Sequence, residues 1–145
     1  MRFKKVIFVS KDGTYRAPIA ACVMKDIVGN EVEVESRGMV VLFSEPINPK
    51  GMEAAMIKGY TPVDMTSKAL TDKDFDFENL ILVMTEKMKQ QIYDNYKTAV
   101  NVYALKEFAG GQGDIESPFG RSTDEYIENF EVINEWVQKA AKLLD

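Results

Sequence analysis

VIFVSKDGTYRAPIA, residues 6–20, passes from an unbroken apolar run into a polar turn with one glycine and one arginine, then into a helix-forming stretch. Continuous apolarity from Val6 to Val9 suits a strand covered on both faces, as in a parallel sheet with helices above and below. Gly13 and the sequence Arg16-Ala17-Pro18 mark a tight entry into a helix, because Pro18 in a first turn forfeits no hydrogen bond. A strand feeding a helix in this way makes an anion site. N–H groups at the helix start point into the turn, the positive end of the helix dipole stands behind them, and a guanidinium grips two oxygens at once. Phosphate is therefore the first ligand to consider.

Outward from this stretch, the pattern predicts strands over residues 4–9, 32–35, 80–84 and 100–105. The second alternates, as suits a strand near the sheet edge, whereas LILVM at 80–84 is apolar throughout and belongs in the centre. Helices are expected over residues 17–28, 49–59, 86–96 and 123–144, the first ended by Gly29-Asn30. In the last of them Tyr126, Phe130, Ile133, Val137 and Leu144 form a buried stripe. Strands separated by helices give an α/β sandwich with a parallel sheet, whose ligand site lies at the carboxyl ends of the strands, where the turn 10–16 falls.

Composition removes whole classes of chemistry. The chain has 145 residues, 46% of them apolar and 28% charged, which suits one soluble domain over residues 1–145. No run is long enough to cross a bilayer, and the start MRFKKVIFV lacks the small-residue cleavage site of a secretory signal, so a cytoplasmic protein without membrane partners is expected. Cys22 is the one cysteine and histidine is absent, which leaves no disulfide framework, no cysteine-rich metal site and no histidine base. No metal or cofactor is implied. A net charge of -5 with scattered lysines argues against nucleic acid as a partner.

At this point the residues resemble a family, the low molecular weight protein tyrosine phosphatases. Its members begin with a strand, then a Cys-x5-Arg-Ser/Thr-Pro loop and a helix, and carry an Asp-Pro-aromatic loop before the last helix. Here Ser10 to Arg16 keeps the loop spacing, Arg16-Ala17-Pro18 follows it, and Ser117-Pro118-Phe119-Gly120 precedes the final helix. Ser36-Arg37-Gly38 is similar to the family's Ser-Ala-Gly, and Met84-Thr85 to its Met-Asp. The resemblance covers nearly the whole chain. It implies a three-layer sandwich with a four-stranded parallel sheet in the order 2-1-3-4. It also implies an anion-binding loop made of Ser10, Lys11, Asp12, Gly13, Thr14, Tyr15 and Arg16, with Ser36, Pro118 and Phe119 as site wall, and a phosphoprotein as the class of partner.

The likeness fails at the atoms that react. Ser10 stands where the family has its nucleophilic cysteine, and a hydroxyl is far harder to ionise than a thiol held by loop amides and a helix dipole. Ser117 stands where the family's general acid, an aspartate, protonates the departing oxygen, and a serine delivers no proton near neutral pH. Ala17 replaces the hydroxyl residue after the arginine. Asp12-Gly13 replaces Gly-Asn, so a carboxylate faces the intended phosphate. At about 4–6 Å and an effective dielectric near 20 that repulsion is on the order of 1 kcal/mol or more, and retained oxyanion binding should be weak. Gly13 and Arg16 survive. Arg16 then either binds an oxyanion or ties the loop to Ser36 or to a carboxylate.

Three classes of function follow. The first is a non-catalytic relative that keeps the fold and a residual oxyanion loop. The second is an active phosphatase seen with Ser10 in place of cysteine, which a cysteine codon at position 10 would reveal; three coincident departures, at Ser10, Ala17 and Ser117, favour the first. The third, an arsenate reductase, needs several cysteines to shuttle a disulfide, and Cys22 alone cannot do so. Elsewhere plainer readings lead. Cys22 reads as core packing, Tyr15 as loop filling or ligand stacking, and Lys11 as a solvated charge. In DKDFDFE, residues 72–78, Phe75 and Phe77 should pack while the acids face water. In residues 40–49 a buried turn would explain the apolar half and a loop facing a partner or ligand would explain Glu45-Pro46 equally well, and Glu116 is a poor substitute acid because adjacent loop positions point apart.

Overall fold

The computed structural model describes residues 2–62 and 66–144. The strands are β1 (Lys5–Ser10), β2 (Glu33–Gly38), β3 (Asn79–Val83) and β4 (Val102–Ala104), and the helices are α1 (Arg16–Val28), α2 (Pro49–Ile57), α3 (Glu86–Asn95), α4 (Leu105–Phe108) and α5 (Thr123–Ala141). A three-residue 3-10 turn, Asp72–Asp74, precedes β3. The strands form one parallel sheet in the order β2-β1-β3-β4, with Phe8 opposite Ser36 on one side and Leu82 on the other. The result is the expected three-layer α/β sandwich.

The apolar runs explain the layering. Side chains alternate faces along a strand, yet Val6, Ile7, Phe8 and Val9 are all fully buried, as are Leu80 to Val83, so both faces of the two central strands are covered. Helix α5 packs on both α1 and α2, and α3 packs against β3 and β4. The stripe on α5 is buried as read, from Tyr126 and Phe130 to Leu144 just beyond its end. Phe130→Ala type truncations in such cores cost roughly 3–5 kcal/mol.

Three details differ from the sequence reading. Leu105 opens α4 instead of extending β4, so the fourth strand is only three residues long. In the acidic run, Phe75 packs and Asp72, Asp76 and Glu78 face water as expected, but Phe77 is 83% exposed and Asp74 is buried. The cause is Arg37: its guanidinium reaches Asp74 at 3.2 Å and Glu35 at 3.1 Å, and Asp74 also accepts from the Thr71 amide at 3.0 Å. A carboxylate with those partners can be buried; without them it could not. Gly38 is bridged to Ala69, so the segment holding the 3-10 turn also covers the free side of β2 at its carboxyl end. Cys22, finally, is only half-buried, beside Tyr60; burial pushes its thiol pKa up, helped by Asp26, which suits an unreactive group.

Helix α2 touches the turn of interest directly. A Cβ on Gly51 would lie 2.1 Å from the Tyr15 ring, so Gly51→Ala must displace either the ring or the helix. An overpacking cost of about 1–3 kcal/mol is expected in urea unfolding, with Tyr15 moving at the same time.

Candidate functional site

At the carboxyl end of β1 the chain leaves the sheet at Ser10, turns through Lys11 to Tyr15 and enters α1 at Arg16. Two backbones meet at the centre of this turn. Gly13 has φ 73, and a Cβ there would lie 3.0 Å from the Gly38 amide nitrogen and 3.1 Å from the Arg37 carbonyl carbon, so glycine alone fits. Backbone bonds pin the turn to its surroundings: the Met39 and Val40 amides donate to the Ser10 and Lys11 carbonyls, and the Asn48 amide donates to that of Thr14. Among the described residues, the N–H groups of Asp12, Gly13, Tyr15 and Arg16 have no protein acceptor. Amides left free in this way, at the start of a 13-residue helix, are the kind of donors an anion can use.

The cleft above the turn has a volume of about 350 Å³. Its floor is Ser10, Lys11, Asp12, Thr14, Tyr15 and Arg16, and its rim is Asn48, Ser117, Pro118, Phe119 and Tyr126. Arg16 is 7% exposed, and its Nη1 donates to the Ile115 carbonyl at 2.8 Å. Burial pulls the guanidinium pKa below its ordinary value against the fields of Asp12, Glu116 and Asp114, and it remains protonated at neutral pH. The tie that was one reading of Arg16 therefore exists, but it runs to a backbone carbonyl and not to Ser36 or a carboxylate, and it uses one nitrogen of three. The same bond holds the loop that carries Ser117 against the cradle.

Ser10 is buried, and its Oγ accepts from the Ala17 amide at 3.2 Å. Among the described residues no carboxylate or other base bonds this hydroxyl. Ser117 faces the cleft with its Oγ accepting from the Phe119 amide at 3.2 Å. Glu116 lies outside the cleft lining, its carbonyl held by Asn129 Nδ2 at 2.7 Å, so it does not stand in as an acid there. Asp12 does line the cleft, and it does more than face a ligand. Its Oδ1 accepts from the Thr14 amide at 3.0 Å and from Thr14 Oγ1 at 2.8 Å, which fixes the carboxylate and removes one N–H from the cradle.

Other predicted wall residues divide. Pro118 and the 75% exposed Phe119 flank the opening, whereas Ser36 lies opposite Phe8 within β2 and lines a separate hollow with Ala21, Lys25 and Lys68. The family-like motif placed Ser36 two residues too early: Gly38 is the residue of β2 that meets the turn. Tyr15 fills the loop. Its ring packs edge-on against Tyr126 with centroids 4.9 Å apart, and its hydroxyl donates to the Tyr126 carbonyl; burial drives its pKa well up, so it stays a phenol. The segment after β2 is not a buried turn, since Leu42 is 84% and Phe43 79% exposed, beside a second hollow that shares Lys11, Asp12 and Thr14 with the cleft.

Two cleft residues went unread as such. Asn48 caps α2 by accepting from the Lys50 and Gly51 amides, a role its place before Pro49 announces, though not its position beside Thr14. Tyr126 was visible only as part of a buried stripe. Among the described residues no group of His, Cys, Asp or Glu side chains could hold a metal ion, and no helix is long and apolar enough to cross a membrane.

Comparison with known proteins agrees with this architecture. The family model for low molecular weight phosphotyrosine protein phosphatase matches residues 5–145. The low molecular weight protein-tyrosine-phosphatase PtpB of Staphylococcus haemolyticus is 33% identical over 127 residues, covering 88% of this chain and 90% of that protein. A protein-arginine-phosphatase of Bacillus subtilis is 31% identical over 144 residues, 96% of this chain and 95% of its own. Among solved structures, a cysteine-to-serine mutant of the YwlE arginine phosphatase with a phosphorylated active-site serine superposes with a TM-score of 0.89 at 32% identity, over 97% of this chain and 95% of that one. From its turn, its sheet order and these matches, the chain belongs to the low molecular weight phosphotyrosine protein phosphatase family.

Proposed function

We propose that this chain binds the phosphoryl group of a phosphorylated protein in the loop Ser10 to Arg16 and does not turn it over. The observation that carries the reading is the pairing of a set of loop amides left without protein acceptors with an incomplete reaction centre. Among the described residues, the free N–H groups of the turn and of the start of α1, with the buried Arg16, supply what an oxyanion needs, while no base bonds Ser10 and Ser117 has no acidic proton to give. Binding is weakened by Asp12, which opposes a dianion and already occupies the Thr14 amide.

Calorimetric titration with inorganic phosphate tests this. Saturable binding at neutral pH is expected, and Arg16→Ala should weaken it by about tenfold or more, since charge-assisted bonds are worth roughly 1.5–3 kcal/mol. Equal heats for the two proteins would remove the reading. Circular dichroism of the variant separates this from unfolding, because Arg16 also holds Ile115.

One observation favours a second reading, in which Ser10 accepts a phosphoryl group and stops there. The related arginine phosphatase structure carries a phosphate on a serine that replaces its cysteine. In this chain Ser10 Oγ would attack phosphorus, the bond from phosphorus to the leaving nitrogen or oxygen would break, and the hydroxyl proton would pass to the leaving atom. The serine oxygen is a far poorer leaving group from phosphorus than a cysteine thiolate, so the phosphoserine would persist instead of being hydrolysed.

A further inference from the structure

The cleft holds an uneven set of charges for a site that receives a phosphoryl group. Lys11 and Arg16 line it, and so does Asp12, the one carboxylate in its lining among the described residues. Asp12 is exposed, but two bonds from Thr14 hold its Oδ1, and among the described residues its Oδ2 has no hydrogen-bond partner. Its field is the largest of the carboxylate fields acting on Arg16, ahead of Glu116 and Asp114, and it also reaches Tyr126 across the cleft. A phosphorylated phenol brings two negative charges and an uncharged ring to this place. It meets Arg16 with attraction and Asp12 with repulsion. A phosphoryl group carried on the nitrogen of a guanidinium brings its own positive charge one atom from phosphorus, with N–H donors that a carboxylate oxygen accepts. The exposed ring of Phe119 tolerates either group and favours a cation at its face.

We infer that Asp12 sets the ligand class of the cleft, selecting phosphoryl groups attached to a cationic nitrogen, as in an N-phosphorylated arginine side chain, against the dianionic phosphate ester of tyrosine. The inference rests on the phosphoryl-binding reading of the loop and adds to it the residue that discriminates.

The test is a set of titrations at neutral pH with phosphoarginine, phosphotyrosine and inorganic phosphate, on the unmodified chain and on Asp12→Asn. Asparagine keeps an Oδ1 to accept from Thr14, so the loop shape is preserved while the charge is removed. Phosphoarginine is expected to bind about tenfold tighter than phosphotyrosine to the unmodified chain, the scale of one screened charge contact. In Asp12→Asn phosphoarginine should weaken and phosphotyrosine tighten, so that the preference disappears. Phosphotyrosine binding as tightly as phosphoarginine to the unmodified chain, or a preference unchanged in Asp12→Asn, overturns the inference while leaving phosphoryl binding intact. Failure of inorganic phosphate to bind in an Arg16-dependent way removes the underlying reading, and this one with it.

Discussion

Hydrolysis of aryl phosphates by this chain is expected to be indistinguishable from buffer between pH 5 and 8. Two separate losses combine in that result. Without a general acid at Ser117 the departing oxygen must leave as an anion, which alone typically costs about 10²–10⁴-fold. Without a thiolate at position 10 the attacking atom is a neutral hydroxyl that accepts from the Ala17 amide, with no base bonded to it among the described residues. Arg16 and the cradle remain, so a residual electrostatic contribution persists, but it acts on a step that has neither nucleophile nor acid. Intact-mass measurement after incubation separates the two readings of Ser10: an unmodified chain supports binding alone, and a gain of one phosphoryl group that is absent in Ser10→Ala supports arrested transfer. Steady turnover that disappears in Ser10→Ala would contradict both.

Restoring the reactive atoms is expected to return activity in an ordered way. Ser10→Cys places a thiol at the start of α1, among amides without protein acceptors and near Arg16, where the thiolate is favoured. Asp12 opposes that thiolate, and Ala17 offers an amide but no hydroxyl, so recovery should be partial. Adding Ser117→Asp should raise turnover by roughly 10²–10⁴-fold for substrates with poor leaving groups and much less for activated ones, because only the former need a proton in the transition state. Asp12→Gly should then tighten anion binding twice over, by removing a charge and by freeing the Thr14 amide; the first part shrinks as salt is raised and the second does not. A triple variant that neither binds phosphate nor forms a phosphocysteine would mean that the turn is only a remnant of the fold.

The layering of the protein was legible because it rests on local pattern. Val6 to Val9 and Leu80 to Val83 are apolar without interruption because helices cover both faces, and the stripe on α5 repeats at helical spacing because one face is buried. The turn was legible for a similar reason, since its loop length, its glycine and its arginine lie within seven consecutive residues. What escaped depends on contacts distant in sequence. Asp74 reads as a solvated acid until Arg37 is seen beside it, and the alternation that suggests a packed Phe77 does not show that this ring lies at the surface. Tyr126 enters the cleft through a ring contact and a hydrogen bond with Tyr15, 111 residues away. The bond from Thr14 to Asp12 is local, and Asp-x-Thr could have suggested it, but only the structure shows that it uses a cradle amide.

The most direct test of phosphoryl binding at this turn is a phosphate titration followed through the backbone amide resonances of the loop. Saturable shifts are expected at Asp12, Gly13, Tyr15 and Arg16, whose N–H groups have no protein acceptor among the described residues, with a smaller shift at Thr14, whose amide Asp12 already holds. The same shifts should vanish in Arg16→Ala. Phosphate that leaves these amides unmoved while shifting resonances elsewhere, or that moves them equally without Arg16, would contradict the placement of the ligand in this loop.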